Sequence, residues 1–208
     1  MKVLVFGATG GTGVQLIQQL LDRGHAASAF IHKNREALAP LAGRLTCFTG
    51  DVRDYAKVSA AVSGHDAVLV ALGAPPGPGS EVLSAGTKNI VRAMQEHKVK
   101  RLVVETGAGL AENPLAVPWL WKLTASLPPM RRLFDAKRAQ EKAVRESGLD
   151  WVLVRPVNLT NGALTGRYRT LVNLPLQTFA TVSRADVAHF MLAQLTGEDW
   201  LHQAVTLS

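Results

Sequence analysis

The sequence predicts a single α/β domain: a doubly wound parallel sheet with helices on both faces. Three observations lead there. Short, continuous runs rich in Val and Leu recur along the chain, as strands buried on both faces require. Stretches of helical period stand between them, so strand and helix alternate. The first apolar run breaks at Gly7 into a glycine-rich turn that opens a helix.

The strands are expected at 2–6, 27–31, 45–49, 67–72, 101–106 and 151–155, with a last one at 203–207. The helices are expected at 12–23, 55–63, 80–97, 130–147 and 183–195. Within 130–147, Leu133, Phe134, Lys137, Glu141 and Val144 keep a three-to-four spacing and so share a face. Gly24, Gly64 and Gly148 stand where left-handed residues end helices. Ser183 is the expected N-cap of the last helix, with Asp186 three residues on. Residues 161–168 are polar and glycine-rich, and 171–179 are apolar but broken by Pro175. Long loops are expected at 74–79 and at 107–129, the latter with four prolines. A substrate site would be built from the loops around 107–129 and 158–182, because the nucleotide-binding fold uses nearly all of residues 1–208.

Composition bounds the function. At 208 residues, 47% of them apolar and 19% charged, the chain forms one packed domain. No apolar run approaches the roughly 20 residues of a membrane span. The apolar start at 1–6 is shorter than the about 7–15 residues of a signal-peptide core. The single cysteine, Cys47, excludes an intrachain disulfide and multi-cysteine metal sites, and reads as a small core residue of the third strand. No His-x-x-x-His pair occurs, and no metal is expected. A cytoplasmic location is the expectation, with no membrane association. The charge balance, 23 Lys+Arg against 16 Asp+Glu for a net +7, asks for an anionic partner: nucleic acid, a membrane surface or a phosphorylated small molecule. Nucleic acid ranks last, because no zinc, homeodomain or RNP-like pattern occurs and aromatics are only 6% of the chain.

The turn Gly7-Ala8-Thr9-Gly10-Gly11-Thr12-Gly13 has the context of a dinucleotide fingerprint, after a strand and before a helix. Its glycines allow a tight turn and a close approach of backbone N–H groups to a pyrophosphate, and the helix N-terminus adds partial positive charge. The second strand runs into His32, Lys33 and Arg35 before the first carboxylate, Glu36. An NAD site places an acid near this strand end, whereas a 2′-phosphate favours cations, so NADP(H) is the expected cofactor. Asp51 and Val52 follow the third strand. They offer hydrogen bonds to an adenine edge, or else Asp51 caps the helix that follows. Ala71, Leu72 and Gly73 end the fourth strand and let the backbone line the crevice.

Taken with Gly86-Thr87-Lys88-Asn89, Glu105-Thr106-Gly107-Ala108, Arg155-Pro156 and Ser183-Arg184-Ala185-Asp186-Val187-Ala188, these motifs resemble the atypical short-chain dehydrogenase/reductases with an NAD(P)H-binding Rossmann domain. The resemblance covers essentially the whole chain. Within that family it is strongest to the biliverdin-IXβ reductase/flavin reductase branch, through Leu164-Thr165-Gly166-x-Tyr168 and His189-Phe190-Met191-Leu192. NmrA-like regulators, which bind the cofactor without having to turn it over, are neighbours.

The wider superfamily uses Tyr-x-x-x-Lys to exchange a proton with a carbonyl or hydroxyl. Neither Tyr55 nor Tyr168 has Lys four residues later. Lys137 matches the family lysine by its distance to Glu141, and the tyrosine position is then Leu133. Relatives with Thr-Ser after the fifth strand correspond here to Thr106-Gly107, and a histidine after the sixth-strand proline corresponds to Asn158. Thr106, Lys137 and Asn158 are the remaining catalytic candidates, with Thr106, Gly107, Pro156, Val157 and Asn158 near the nicotinamide. Loss of the dyad shifts the expected reaction toward hydride transfer to a conjugated acceptor, such as FMN, another flavin or a tetrapyrrole, or toward sensing of NADP(H) without turnover. Trp119 and Trp121, with Leu115, Val117, Leu120 and Leu123, form either an apolar lid or a docked helix or subunit contact. Lys122, Arg131, Arg132, Lys137 and Arg138 are a rim for the carboxylates of a tetrapyrrole or the phosphate of FMN, or else a solvated face. The expected partner is a small-molecule acceptor, and the expected assembly a monomer or small homo-oligomer.

Overall fold

Alternation of side chains along each strand decides the layering. In β1 (Lys2–Phe6), Val3 and Val5 face one way while Leu4 and Phe6 face the other, and all four are closed to solvent. The same two-sided burial recurs in β2 (Ala26–Ile31), β4 (Ala67–Val70), β5 (Arg101–Glu105) and β6 (Asp150–Pro156). Such strands need helices on both faces. The computed structural model describes residues 1–110, 123, 126–172 and 179–208. With β3 (Thr46–Thr49) and β10 (Ala204–Leu207), the strands form a sheet in the order β3-β2-β1-β4-β5-β6-β10, parallel throughout. Strand β8 (Thr170–Leu171) adds an antiparallel edge on β10. The short pair β7 (Asn158–Thr160) and β9 (Thr181–Ser183), parallel to each other, stands apart from the main sheet and breaks up the expected loop at 158–182.

Helices α1 (Gly11–Asp22) and α5 (Arg184–Ala193) cover one face, where Val3, Val5, Leu16, Ile17, Leu20, Val187 and Met191 share one core. Helices α2 (Tyr55–Val62), α3 (Glu81–Glu96) and α4 (Pro128–Arg145) cover the other, where Leu4, Phe6, Val58, Ile90, Met94 and Val144 share a second. Burial of this apolar surface, at about 25 cal/mol per Å², is the main favourable term in folding. Gly24, Gly64 and Gly148 all take positive φ, so each ends its helix as the spacing required. Ser183 caps α5, its Oγ accepting from the Asp186 N–H at 2.9 Å.

Two details differ from the sequence expectation. The cap of α2 is Asp54, whose side chain accepts from the Lys57 N–H, and not Asp51, which lies a turn too early. Cys47 is half-buried on β3 at the rim of the first core, because β3 is the edge strand. The expected lid residues Trp119 and Trp121, with Leu115, Val117, Leu120 and Lys122, lie outside the described residues, and Leu123 is exposed. Among the described residues no helix is long and apolar enough to cross a membrane.

Candidate functional site

Strands β1 and β4 are neighbours whose following helices lie on opposite faces of the sheet. That reversal opens a crevice at the carboxyl ends of the strands, where ligands of open α/β sheets bind. The glycine turn closes its floor. Gly7 has φ +78°, and a Cβ there would lie 2.2 Å from the Ala71 carbonyl oxygen. A Cβ on Gly13 would lie 2.1 Å from the Gly7 oxygen. Both contacts are with backbone, so only glycine lets α1 start this close to β1 and β4. Gly10 is the N-cap of α1 and supplies no side-chain hydrogen bond, and the first turn holds no acidic residue. The amino-terminal N–H groups of α1 are thus left for an anion, and the turn fits a dinucleotide pyrophosphate.

The crevice encloses about 610 Å³ and is lined by Gly7, Thr9, Gly10, His32, Lys33, Asp51, Val52, Arg53 and Ala71-Leu72-Gly73, among others. Most of the residues assigned to the nucleotide from the sequence therefore meet in one place. Gly11, Thr12 and Gly13 lie behind this lining in the first turn of α1. Arg35 is carried away: Asn34 takes a left-handed conformation (φ 58°) and starts a 3-10 turn, Arg35–Leu41. Arg35 then lines a separate depression with Cys47. Arg53 lines the crevice together with His32 and Lys33, although in the sequence it is indistinguishable from an ordinary helix-flanking charge. Its Nε lies 3.0 and 3.1 Å from the two Asp51 oxygens, and its Nη2 lies 2.5 Å from Oδ2. The hydrogen bonds from Arg53 hold the Asp51 carboxyl far below the usual carboxylate range.

Further along the sheet ends lies a second cavity of about 330 Å³. Gly107, Gly109, Met130, Leu133, Phe134, Lys137, Pro156, Val157 and Asn158 line it. It gathers four of the expected nicotinamide-side residues with Lys137. The Lys137 ammonium donates to the Thr106 carbonyl at 2.6 Å. Burial lowers its pKa, against the pull of Glu105 and Glu141. Leu133 stands on the same helix one turn earlier and faces the same space, so no hydroxyl replaces the missing tyrosine there. Thr106 is buried. Its hydroxyl donates to Glu141 Oε1 at 2.7 Å, which makes it a support of the site floor. Asn158 turns its amide toward the Ala180 carbonyl, 3.0 Å away, and ties β7 to the segment before β9.

Glu105 opens a motif that marks the family resemblance, with no site role expected for it. Its carboxylate accepts from the Thr12 hydroxyl at 3.1 Å, at the junction of α1 and β5. Desolvation raises its pKa, opposed by Lys137, the Thr12 hydrogen bond and Arg184. The Arg184 side chain lies against Gly11, where a Cβ would come within 2.5 Å of its Cδ, and its Nη1 donates to Asn161 at 2.7 Å. Two other basic residues of α4 point outward: Arg131 and Arg138 share Asp135 at 3.9 and 3.1 Å on an exposed face. Only Lys137 of that helix's cations enters the site.

A family model described as NAD(P)H-binding matches residues 7–198. The photosystem II assembly factor Ycf39 of Synechocystis is 28% identical over 171 residues, which cover 81% of this chain and 48% of that protein; the chain spans about half its length. ChuY, an anaerobillin reductase from Escherichia coli, has a TM-score of 0.82 at 22% identity, covering all of this chain and 96% of its own. A short-chain dehydrogenase/reductase from Veillonella parvula, solved in complex with NADP, has a TM-score of 0.80 at 22% identity, covering all of this chain and 94% of its own. At these identities the two structures share the fold with this chain.

Proposed function

The chain belongs to the NAD(P)H-binding family, and from that premise we propose an NADPH-dependent reductase that transfers hydride to a planar conjugated acceptor, a flavin such as FMN or a linear tetrapyrrole. One observation carries the reading. A cation-lined nucleotide crevice and an apolar-walled cavity share the carboxyl ends of the strands, and the cavity is reached by the half-buried Lys137 and the Asn158 amide, with leucine where a proton-donating tyrosine would stand. Bound NADPH supplies the hydride. The chain supplies position and a proton. Gly10 and the start of α1 hold the pyrophosphate, and His32 and Lys33 meet the 2′-phosphate. Met130, Leu133, Phe134 and Val157 give the acceptor an apolar wall that keeps water from its reacting face. Lys137 holds a proton at Nζ beside that wall, fixed by the Thr106 carbonyl. Its lowered pKa makes it a better acid than a free lysine. The likeness to an anaerobillin reductase supports the tetrapyrrole class, and that to an NADP complex supports the cofactor.

The test is NADPH oxidation with FMN, riboflavin or biliverdin as acceptor. Saturable turnover with at least one is the expected result. Leu133 also favours a second reading, a non-catalytic NADP(H)-sensing regulator. Tight, saturable NADPH binding with no turnover on any acceptor would select it, and a partner whose capture differs between NADPH and NADP+ would complete the case.

A further inference from the structure

Strand β5 ends on two polar side chains that leave it in opposite directions. Val103 packs in the core beneath α1 and α5, so Glu105, two residues on, turns to that face, while Thr106 turns to Glu141 on α4. Glu105 meets Thr12 in the first turn of α1, and the Thr12 hydroxyl donates to its Oε1 at 3.1 Å. The backbone carbonyl of Thr106, one residue beyond Glu105, takes the Lys137 ammonium at 2.6 Å. The Nζ lies close over this strand end: a Cβ on Gly107 would be 3.3 Å from it. A carbonyl carries no net charge, so this contact fixes the ammonium without balancing it. Two carboxylates act on Lys137, Glu105 from β5 and Glu141 from its own helix. Glu141 is committed elsewhere. Its Oε1 accepts from Thr106 and from Arg155 Nε, its Oε2 accepts from Arg155 Nη2, and Arg145 stands 4.0 Å away. Glu105 is held by no such fork. The cations that act on it are Lys137 from α4 and Arg184 from α5, and Arg184 Nη1 already donates to Asn161 at 2.7 Å.

We propose that Glu105 is a positioning residue for the proton: it is the counter-charge that keeps the Lys137 ammonium charged beside the acceptor cavity, while the Thr106 carbonyl fixes where that ammonium stands. The inference rests on the reductase reading above and deepens it. The Thr12 hydroxyl holds the Glu105 charge, which ties the proton donor to the first turn of α1, where the pyrophosphate would bind. Burial lowers the Lys137 pKa and raises that of Glu105, a drift toward neutral amine and neutral acid, and each charge opposes it in the other. A Glu105 that served the fold alone would differ in one respect: an uncharged side chain of the same shape, still accepting from Thr12, would leave Lys137 as it is.

The experiment follows the Lys137 Nζ and the Glu105 carboxyl of the full chain by NMR titration, each signal assigned by its loss in Lys137→Met or Glu105→Gln. In Glu105→Gln the Lys137 midpoint should fall by about one pH unit, roughly tenfold in acidity, because a charge that raises it is gone. In Lys137→Met the Glu105 midpoint should rise by a similar amount, because a charge that lowers it is gone. With FMN or biliverdin as acceptor, the alkaline limb of turnover in Glu105→Gln should move down together with the Lys137 midpoint. Thermal unfolding checks that each variant is folded, and if Glu105→Gln is not, the Lys137→Met titration decides alone. A midpoint that stays in place in either folded variant overturns the proposal. Absence of turnover with every acceptor overturns the reductase reading instead, and the two titrations still decide whether Glu105 sets the charge of Lys137.

Discussion

Arg155 and Glu141 form a two-point pair beneath the site, with Nε 2.9 Å from Oε1 and Nη2 2.5 Å from Oε2. Both side chains are more than nine-tenths closed to solvent. The pair joins β6 to α4, and Glu141 also accepts from Thr106. Lys137 lies one turn earlier on the same helix, so the ion pair fixes the height of the catalytic candidate above the sheet.

Cutting this pair from one side leaves a buried charge without its two-point partner. Glu141→Ala and Arg155→Met should each cost about 3–5 kcal/mol in urea unfolding. The double variant should cost less than the sum of the two, because the second change removes the orphaned partner. Additive losses would show that the two groups act separately.

The glycine turn separates two kinds of tolerance. Gly13→Ala places a methyl group 2.1 Å from the Gly7 oxygen and 2.7 Å from the Ala8 Cα, both fixed backbone. It should lower the unfolding temperature and abolish measurable NADPH binding, although alanine favours a helix over glycine by about 1 kcal/mol. Gly11→Ala meets only the Arg184 side chain, which can swing aside. It should retain the fold and most of the affinity in the same titration.

Lys137 should leave its mark on the pH profile. Burial lowers its pKa below the usual 10.5, so the donor form is lost as pH rises through that lowered value. Turnover should therefore fall on the alkaline side earlier than for an ordinary lysine. Lys137→Met should lose about 10²-fold in turnover and flatten that limb, while NADPH affinity changes little. A variant that keeps the alkaline limb would assign it to another group.

Charge reversal distinguishes the two cations placed together by sequence but apart in space. Lys33→Glu should weaken NADPH at least about tenfold more than NADH, since it lines the crevice beside Asp51. Arg35→Glu, on the depression beside Cys47, should weaken both cofactors slightly and about equally. Fluorescence titration of both nucleotides reads the difference.

Much of the fold and the nucleotide end of the site was legible in the chain itself. Strand positions follow from continuous apolar runs, because a strand covered on both faces has no polar side to disguise it. The turn from Gly7 to Gly13 is legible because backbone contacts of 2.1 and 2.2 Å admit no side chain, so the constraint is written as glycine. Ser183 and Asp186 announce the start of α5 because a cap acts within one turn.

What sequence alone determined is local: which segments alternate, where helices start and stop, and where an anion can meet free N–H groups. The tertiary structure decided which charges share a space. A left-handed Asn34 sends Arg35 away from Lys33, while Arg53, twenty residues on, is brought beside it. Glu105 meets Thr12 across 93 positions, and Arg155 meets Glu141 only because α4 docks back on β6. The strengths of such pairs depend on distance and on exclusion of water, and both are fixed by packing between elements rather than by neighbours along the chain.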